Sequence, residues 1–312
     1  MLECPHPKMV RNMNFENMSL PEYLRRYSTE EACLYAVFAS KWSDGFVCPS
    51  CEHGNYYRLS GRRSVECASC GGQTSILAET VFENTHVALQ LWFLIMYFVA
   101  QDKGGASAVK LANQLDMRYG TVLRMLNKLR DSMTEAEKTL KLAGYIEIDE
   151  AFLGGRRKVP KPGMSPFADK VEVAVMVENE GSHAGNLVLK VMESDTREGL
   201  RPIVAAHVES EKSKQKFIGD GKQLHTVVTA FGHTITVCPI PKADLDAILP
   251  CLSLVLSHVK RFFKGTYHHY CRQNIQLYLN EFCFRFNRRL HWSQIASRLL
   301  AAATRNPSAF PA

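Results

Sequence analysis

Four cysteines placed as two pairs constrain this chain more than any other feature. Cys48 and Cys51 in CPSC, and Cys67 and Cys70 in CASC, give two C-x2-C pairs separated by fifteen residues. Four thiolates at this spacing can surround one Zn²⁺ tetrahedrally, each pair on a tight turn at the end of a short hairpin. The flanking pieces NYYRLS and SVECAS read as short strands, and no βαβ pattern surrounds the cysteines to support a redox CxxC fold. A closed Cys4 site is structural, because it lets a segment too small for its own core fold around the metal. Between the pairs, GRRS puts Arg62 and Arg63 at the expected ribbon tip, where they suit phosphate contact or a solvated turn.

The rest of the composition narrows the class. A length of 312 residues predicts two or three folding units, and a hydrophobic fraction of 46% with 22% charged residues excludes a disordered or collagen-like chain. Lys plus Arg number 38 against 31 Asp plus Glu, a formal net charge of +7 that suits a polyanionic partner. No secretory leader is legible, so the ten cysteines point to a reducing cytoplasm. The apolar run Val87 to Ala100 is interrupted by Gln90 and falls short of the roughly 20 residues needed to span a bilayer. It predicts a buried helix.

Changes of pattern divide the chain into four segments. Residues 1–40 are helical, with Ser28 as a helix cap and Glu31 as its capping-box partner. Residues 41–80 form the zinc ribbon. Residues 81–143 return to helical periodicity, and GGASAVKLANQLDMRYGTVLRMLNKLRDSM predicts two amphipathic helices around a turn at Asp116 to Tyr119. Val109, Leu111, Ala112 and Leu115 line the first helix; Val122, Leu123, Leu126 and Leu129 line the second. Such a helix-turn-helix would present Arg118, Tyr119, Thr121, Arg124 and Lys128 to a DNA groove. Residues 144–312 then give three successive strands, YIEIDEAFL, KVEVAVMVE and NLVLKVME, followed by a helix near 196–206, a strand ending at Asp220, a short helix, the strand HTITVCPI and a long helix from about Leu245 to Phe263.

The first of those strands carries Glu147, Asp149 and Glu150 within four positions. Like charges so close are costly unless a cation compensates them. Mg²⁺, which prefers hard oxygen ligands, would do so with one or two carboxylates. A fold that brings Asp149 beside Asp220 would complete a two-carboxylate metal site, leaving Glu147 and Glu150 to shape the field or to face solvent.

YIEIDEAFLGGRRK, FIGDG, KRFFKGTYHHY and LNEFCFRFNRR together resemble the blocks of bacterial insertion-sequence transposases of the ISXO type. The resemblance runs from the first cysteine pair to Arg289. It implies an α+β multidomain chain: N-terminal helices and a Cys4 ribbon, a helix-turn-helix middle, and a C-terminal ribonuclease H-like domain of the DDE class with a mixed five-stranded sheet. It makes Asp149 and Asp220 the first two catalytic acids and Lys260 the basic residue of the block. The third acid falls seven residues before Lys260, where this chain has Ser253, with Asp244 and Asp246 as nearby acidic alternatives. The implied activity is two-metal phosphoryl transfer with Mg²⁺ or Mn²⁺, cutting and joining DNA at terminal inverted repeats and a target site. Lys260, Arg261, Lys264, His268 and His269 would line the DNA path. A dimer or larger assembly on double-stranded DNA, in a bacterial cytoplasm at the nucleoid and away from membranes, also follows from the resemblance. The competing expectation is a decayed or domesticated transposase that only binds DNA, and Ser253 favours it.

Overall fold

The computed structural model describes residues 18–59, 61–154, 170–193, 196–208, 215–219, 223–238, 245–267 and 272–305. Asp220, Asp244, His268 and His269 lie outside the described residues. The chain divides into two compact units, one made of residues up to 135 together with those from 288 onward, the other of 136–287.

In the first unit, α1 (Leu20–Arg26) and α2 (Glu30–Lys41) precede the ribbon strands β1 (Tyr56–Arg58), β2 (Ser64–Cys67) and β3 (Gln73–Ser75), which pair antiparallel in that order. The cap of α2 is Thr29, whose hydroxyl accepts from Ala32 N at 3.1 Å, one residue after the expected Ser28. Both residue types cap well, so sequence alone does not separate them. Rings hold the ribbon to α2: Phe38 lies 4.9 Å from Tyr56, and Phe46 lies 5.1 Å from Tyr56 and 5.3 Å from Trp42.

Helix α3 (Leu89–Gln101) contains most of the apolar run, and no helix among the described residues is long and apolar enough to cross a membrane. Helices α4 (Ala108–Gln114) and α5 (Tyr119–Lys138) follow. Between them Asp116 takes a φ of 50°, and Met117 N returns to Ala112 O at 2.9 Å, closing a tight turn.

In the second unit, β4 (Tyr145–Leu153), β5 (Val171–Asn179), β6 (Ala184–Val191), β7 (Lys216–Gly219) and β8 (Thr234–Val237) form one sheet in the order β6-β5-β4-β7-β8. The first three strands are antiparallel, and β7 and β8 run parallel to β4. That topology is ribonuclease H-like. Both faces are covered, so β5 reads as an almost continuous apolar run. Helix α6 (Arg197–His207) and the 3-10 helix Gln223–Phe231 cover Ile146, Ile148, Ala174 and Met176. Helices α7 (Leu245–Ile248), α8 (Pro250–Gly265) and α9 (Ile275–Phe286) follow, and α8 and α9 cover Ala151, Leu153, Val173, Val175 and Val177.

Two expectations change. The long helix from Leu245 is broken at Leu249 (φ −124°, ψ 63°) before Pro250, whose ring and missing N–H do not continue a helix. The C-terminal stretch does not stay with the sheet domain: α10 (Ile295–Thr304) packs on α2 and α3, with Val81 N bonded to Ala303 O at 3.0 Å. Its amphipathic pattern announces a buried face without saying which core receives it. Leu299 is fully buried there. Leu299→Ala should therefore lower stability by about 2–5 kcal/mol in denaturant unfolding, with the loss in the transition that reports Trp92 of α3.

Candidate functional site

The ribbon cysteines converge. The four Sγ atoms lie within 4.8 Å of one another, with Cys48 to Cys70 at 3.7 Å and Cys51 to Cys67 at 3.5 Å. Disulfides need about 2.05 Å, whereas four sulfurs on a tetrahedral Zn²⁺ at about 2.3 Å sit roughly 3.8 Å apart. The donor set therefore fits zinc. Both knuckles share one geometry: Glu52 N returns to Cys48 O at 2.9 Å and Gly71 N to Cys67 O at 3.1 Å, with Glu52 and Gly71 at φ of 59° and 69°. Hydrogen bonds from the Cys70 and Ser69 backbone pull the Cys67 thiol down, whereas bonds from the Cys70, Cys67 and Cys48 thiols push Cys51 up, so the four thiols share their protons until a metal displaces them.

The basic residues of the ribbon tip differ in role. Arg62 is exposed, whereas the Arg63 guanidinium is engaged by Glu30 at 2.5 Å and by the Thr85 carbonyl at 3.3 Å. Glu30 also accepts from Leu89 N at 2.8 Å, so one carboxylate ties α2, the ribbon and the start of α3. The buried apolar residues of α4 and the first three turns of α5 are Leu111, Ala112, Val122, Met125, Leu126 and Leu129, and Arg130, Ser132, Met133 and Glu137 are buried further along α5. Val109, expected on that apolar face, is exposed. Arg118, Tyr119 and Arg124 are exposed, and Thr121 and Lys128 are half-buried. Thr121, Arg124 and Lys128 recur at helical spacing, so they share one face of α5.

The three carboxylates of β4 separate by the pleat. Glu147 and Asp149 stand on the α8 side, opposite Val177 and Val175; Glu150 stands on the other, opposite Ala174. Glu147 is fully buried and Glu150 nearly so, which corrects the expectation that they could face solvent. Glu147 Oε2 accepts from Leu252 N at 2.7 Å and Oε1 from Asn179 Nδ2 at 2.6 Å. Helix α8 has no side-chain cap of its own, so Glu147 caps it from the sheet, where the helix N-terminus favours negative charge. Burial pushes the Glu147 carboxyl up, and the bonds from Leu252 and Asn179 oppose that rise.

Asp149 is half-buried, with Oδ1 accepting from Glu150 N at 2.8 Å. The parallel register of β4 with β7 ends at Ile148 opposite Gly219, one residue short of Asp149 on one strand and of Asp220 in the sequence of the other. On α8, Ser253, Ser257, Lys260 and Lys264 recur at helical spacing as a polar stripe, with Arg261 exposed beside it. Ser253 Oγ donates to Asp246 Oδ1. Sequence reasoning missed the capping role of Glu147; the signal available was the β4 alternation, which puts Glu147 on the same face as Asp149.

Two families match this chain: the ISXO2-like transposase domain over residues 141–287 and the transposase zinc-ribbon domain over residues 28–73. A protein of the transposable element ISH50 from Halobacterium salinarum is 24% identical over 203 residues, covering 64% of this chain and 66% of that protein. Among solved structures, the pre-cleavage Mos1 transpososome and the Mos1 strand transfer complex match at 12% identity with TM-scores of 0.30 and 0.29. They cover 70% of this chain and 80% and 79% of theirs, a likeness too slight to bear on function.

Two outcomes are expected. Glu52 holds a left-handed conformation that glycine holds at Gly71 in the other knuckle; Glu52→Gly should stabilise the ribbon by up to about 1 kcal/mol, seen as slower zinc loss to a chelator. Because the folded Glu147 carboxyl binds its proton more tightly than the unfolded one, stability from this group is greatest at low pH. It falls as pH rises from the ordinary carboxylate range through the raised value. Unfolding measured against pH should show wild type losing stability relative to Glu147→Gln across that window.

Proposed function

We propose that this chain, which matches the ISXO2-like transposase domain over residues 141–287 and the transposase zinc-ribbon domain over residues 28–73, is an active DNA-cutting and DNA-joining enzyme. The observation that carries the reading is the position of Asp149: a half-buried carboxylate on the central strand, where the parallel pairing with β7 stops just before Asp220. Asp149 and Asp220 are the metal-holding acids in this reading. Their hard oxygen donors suit Mg²⁺ or Mn²⁺. When bound, the metal lowers the pKa of water and neutralises the leaving oxygen. The chain's own part is positional. Asp149 fixes where the attacked phosphorus must lie, and Lys260, Arg261 and Lys264 on α8 hold phosphates along the helix. Attack by water breaks the bond from phosphorus to the 3′ oxygen and frees a DNA 3′-hydroxyl. That hydroxyl in turn attacks a target phosphodiester, whose own 3′ oxygen departs.

Recognition falls to the first unit. Arg118, Thr121, Arg124 and Lys128 on α5 are placed to contact element ends, with Arg62 of the ribbon adding a phosphate contact, and cutting two ends calls for at least two copies of the chain. One observation favours a second reading: a neutral hydroxyl at Ser253, where the family pattern puts the third acid, would suit a transposase that has kept only DNA binding.

The test is strand cutting and joining on paired element ends with Mg²⁺ or Mn²⁺. Wild type should nick and join, and Asp149→Asn should do neither while still binding the ends. A wild type that binds but never nicks would leave the DNA-binding reading standing. Arg124→Ala should weaken binding and reduce the slope of log affinity against log salt by about 1, measured by titration at several salt concentrations.

A further inference from the structure

We propose that Asp246 supplies the third carboxylate of this site and that Ser253 is its positioning residue, an inference resting on the metal-site reading of Asp149. In a continuous helix, positions 246 and 253 would lie about 10.5 Å apart along the axis, beyond the reach of a direct hydrogen bond between side chains this short. The break at Leu249 turns α7 back, and the Ser253 hydroxyl donates to Asp246 Oδ1. Asp246 is exposed, and its Oδ2 makes no hydrogen bond among the described residues.

The same turn of α8 is anchored next to Asp149. Leu252, the neighbour of Ser253, gives its N–H to Glu147, which shares a sheet face with Asp149 two residues further on, about 7 Å along the strand. Asp246 is thus held by a hydroxyl whose helix is bolted to the strand of the first acid. A carboxylate that binds metal is itself typically fixed by a hydrogen bond from a second residue, and Ser253 occupies that role. The polar stripe of α8 accordingly begins with a carboxylate brought in from outside the helix and continues to Lys260 and Lys264.

The experiment measures Mn²⁺ binding by electron paramagnetic resonance on the full-length, zinc-loaded protein, alongside nicking of element-end DNA. Asp246→Asn should weaken Mn²⁺ binding and lower nicking, with thermal unfolding unchanged because the side chain is exposed. Ser253→Ala should weaken Mn²⁺ binding by about 10-fold to 100-fold, as loss of an orienting partner does. Combining Asp246→Asn with Ser253→Glu should restore Mn²⁺ binding, a rescue that a purely structural tether would not give. Wild-type Mn²⁺ binding and nicking in Asp246→Asn, alongside loss of both in Asp149→Asn, would overturn the assignment of Asp246 and leave the metal site intact. Absence of Mn²⁺ binding by wild type, or unchanged binding in Asp149→Asn, would overturn the metal-site reading and this proposal with it.

Discussion

The second unit depends on one buried carboxylate. Glu147 sits without solvent between a strand and the start of a helix, and such a charge is tolerable only where donors surround it. The Leu252 N–H and the Asn179 amide supply them. Removing the carboxylate would leave α8 without a cap and Asn179 without its acceptor. The bond does more than stabilise: it fixes the rotation and height of α8 over β4, and so where the stripe of Ser253, Lys260 and Lys264 lies relative to the strand. A site built from one strand and one helix needs such a bolt, because a functional constellation must hold its parts in position within fractions of an ångström.

The first unit uses the same device in another form. Its ribbon is too small to have a core, and three connections replace one: the four-sulfur cluster, the ring stack on α2, and Glu30 bonding both Arg63 and the first N–H of α3. The expected tip arginines therefore divide. Arg63 is part of the scaffold, and Arg62 is exposed. Charge in this chain is repeatedly used as a joint between elements, which explains why a modest excess of positive residues says so little by itself about the surface available to DNA.

Much of this was legible in the sequence where a single local rule operates. The cysteine spacing gave the ribbon, and period-two alternation placed β4, β5 and β6 within a residue or two of where they lie. What escaped depended on tertiary context. Glu147 and Asp149 look alike in YIEIDEAFL, yet one is a buried cap and the other half-buried, a distinction made by the arrival of α8 rather than by anything in the strand. The long helix expected from Leu245 ran through Pro250, and nothing local shows that the break there folds Asp246 onto Ser253. Likewise α10 advertises an apolar face without naming the core that takes it, and Val109 carries the right residue type on the wrong side of a short helix.

A divalent metal held against Asp149, as proposed, can be made to report its own position. Fe²⁺ added in place of Mg²⁺ to the zinc-loaded protein, with ascorbate and peroxide, cleaves the backbone next to wherever it binds. Cuts are expected at Asp149 in β4 and in the sequence just after Gly219, abolished by excess Mg²⁺ and by Asp149→Asn. Cuts confined to the ribbon, or a pattern indifferent to Asp149→Asn, would mean that no divalent metal sits against Asp149.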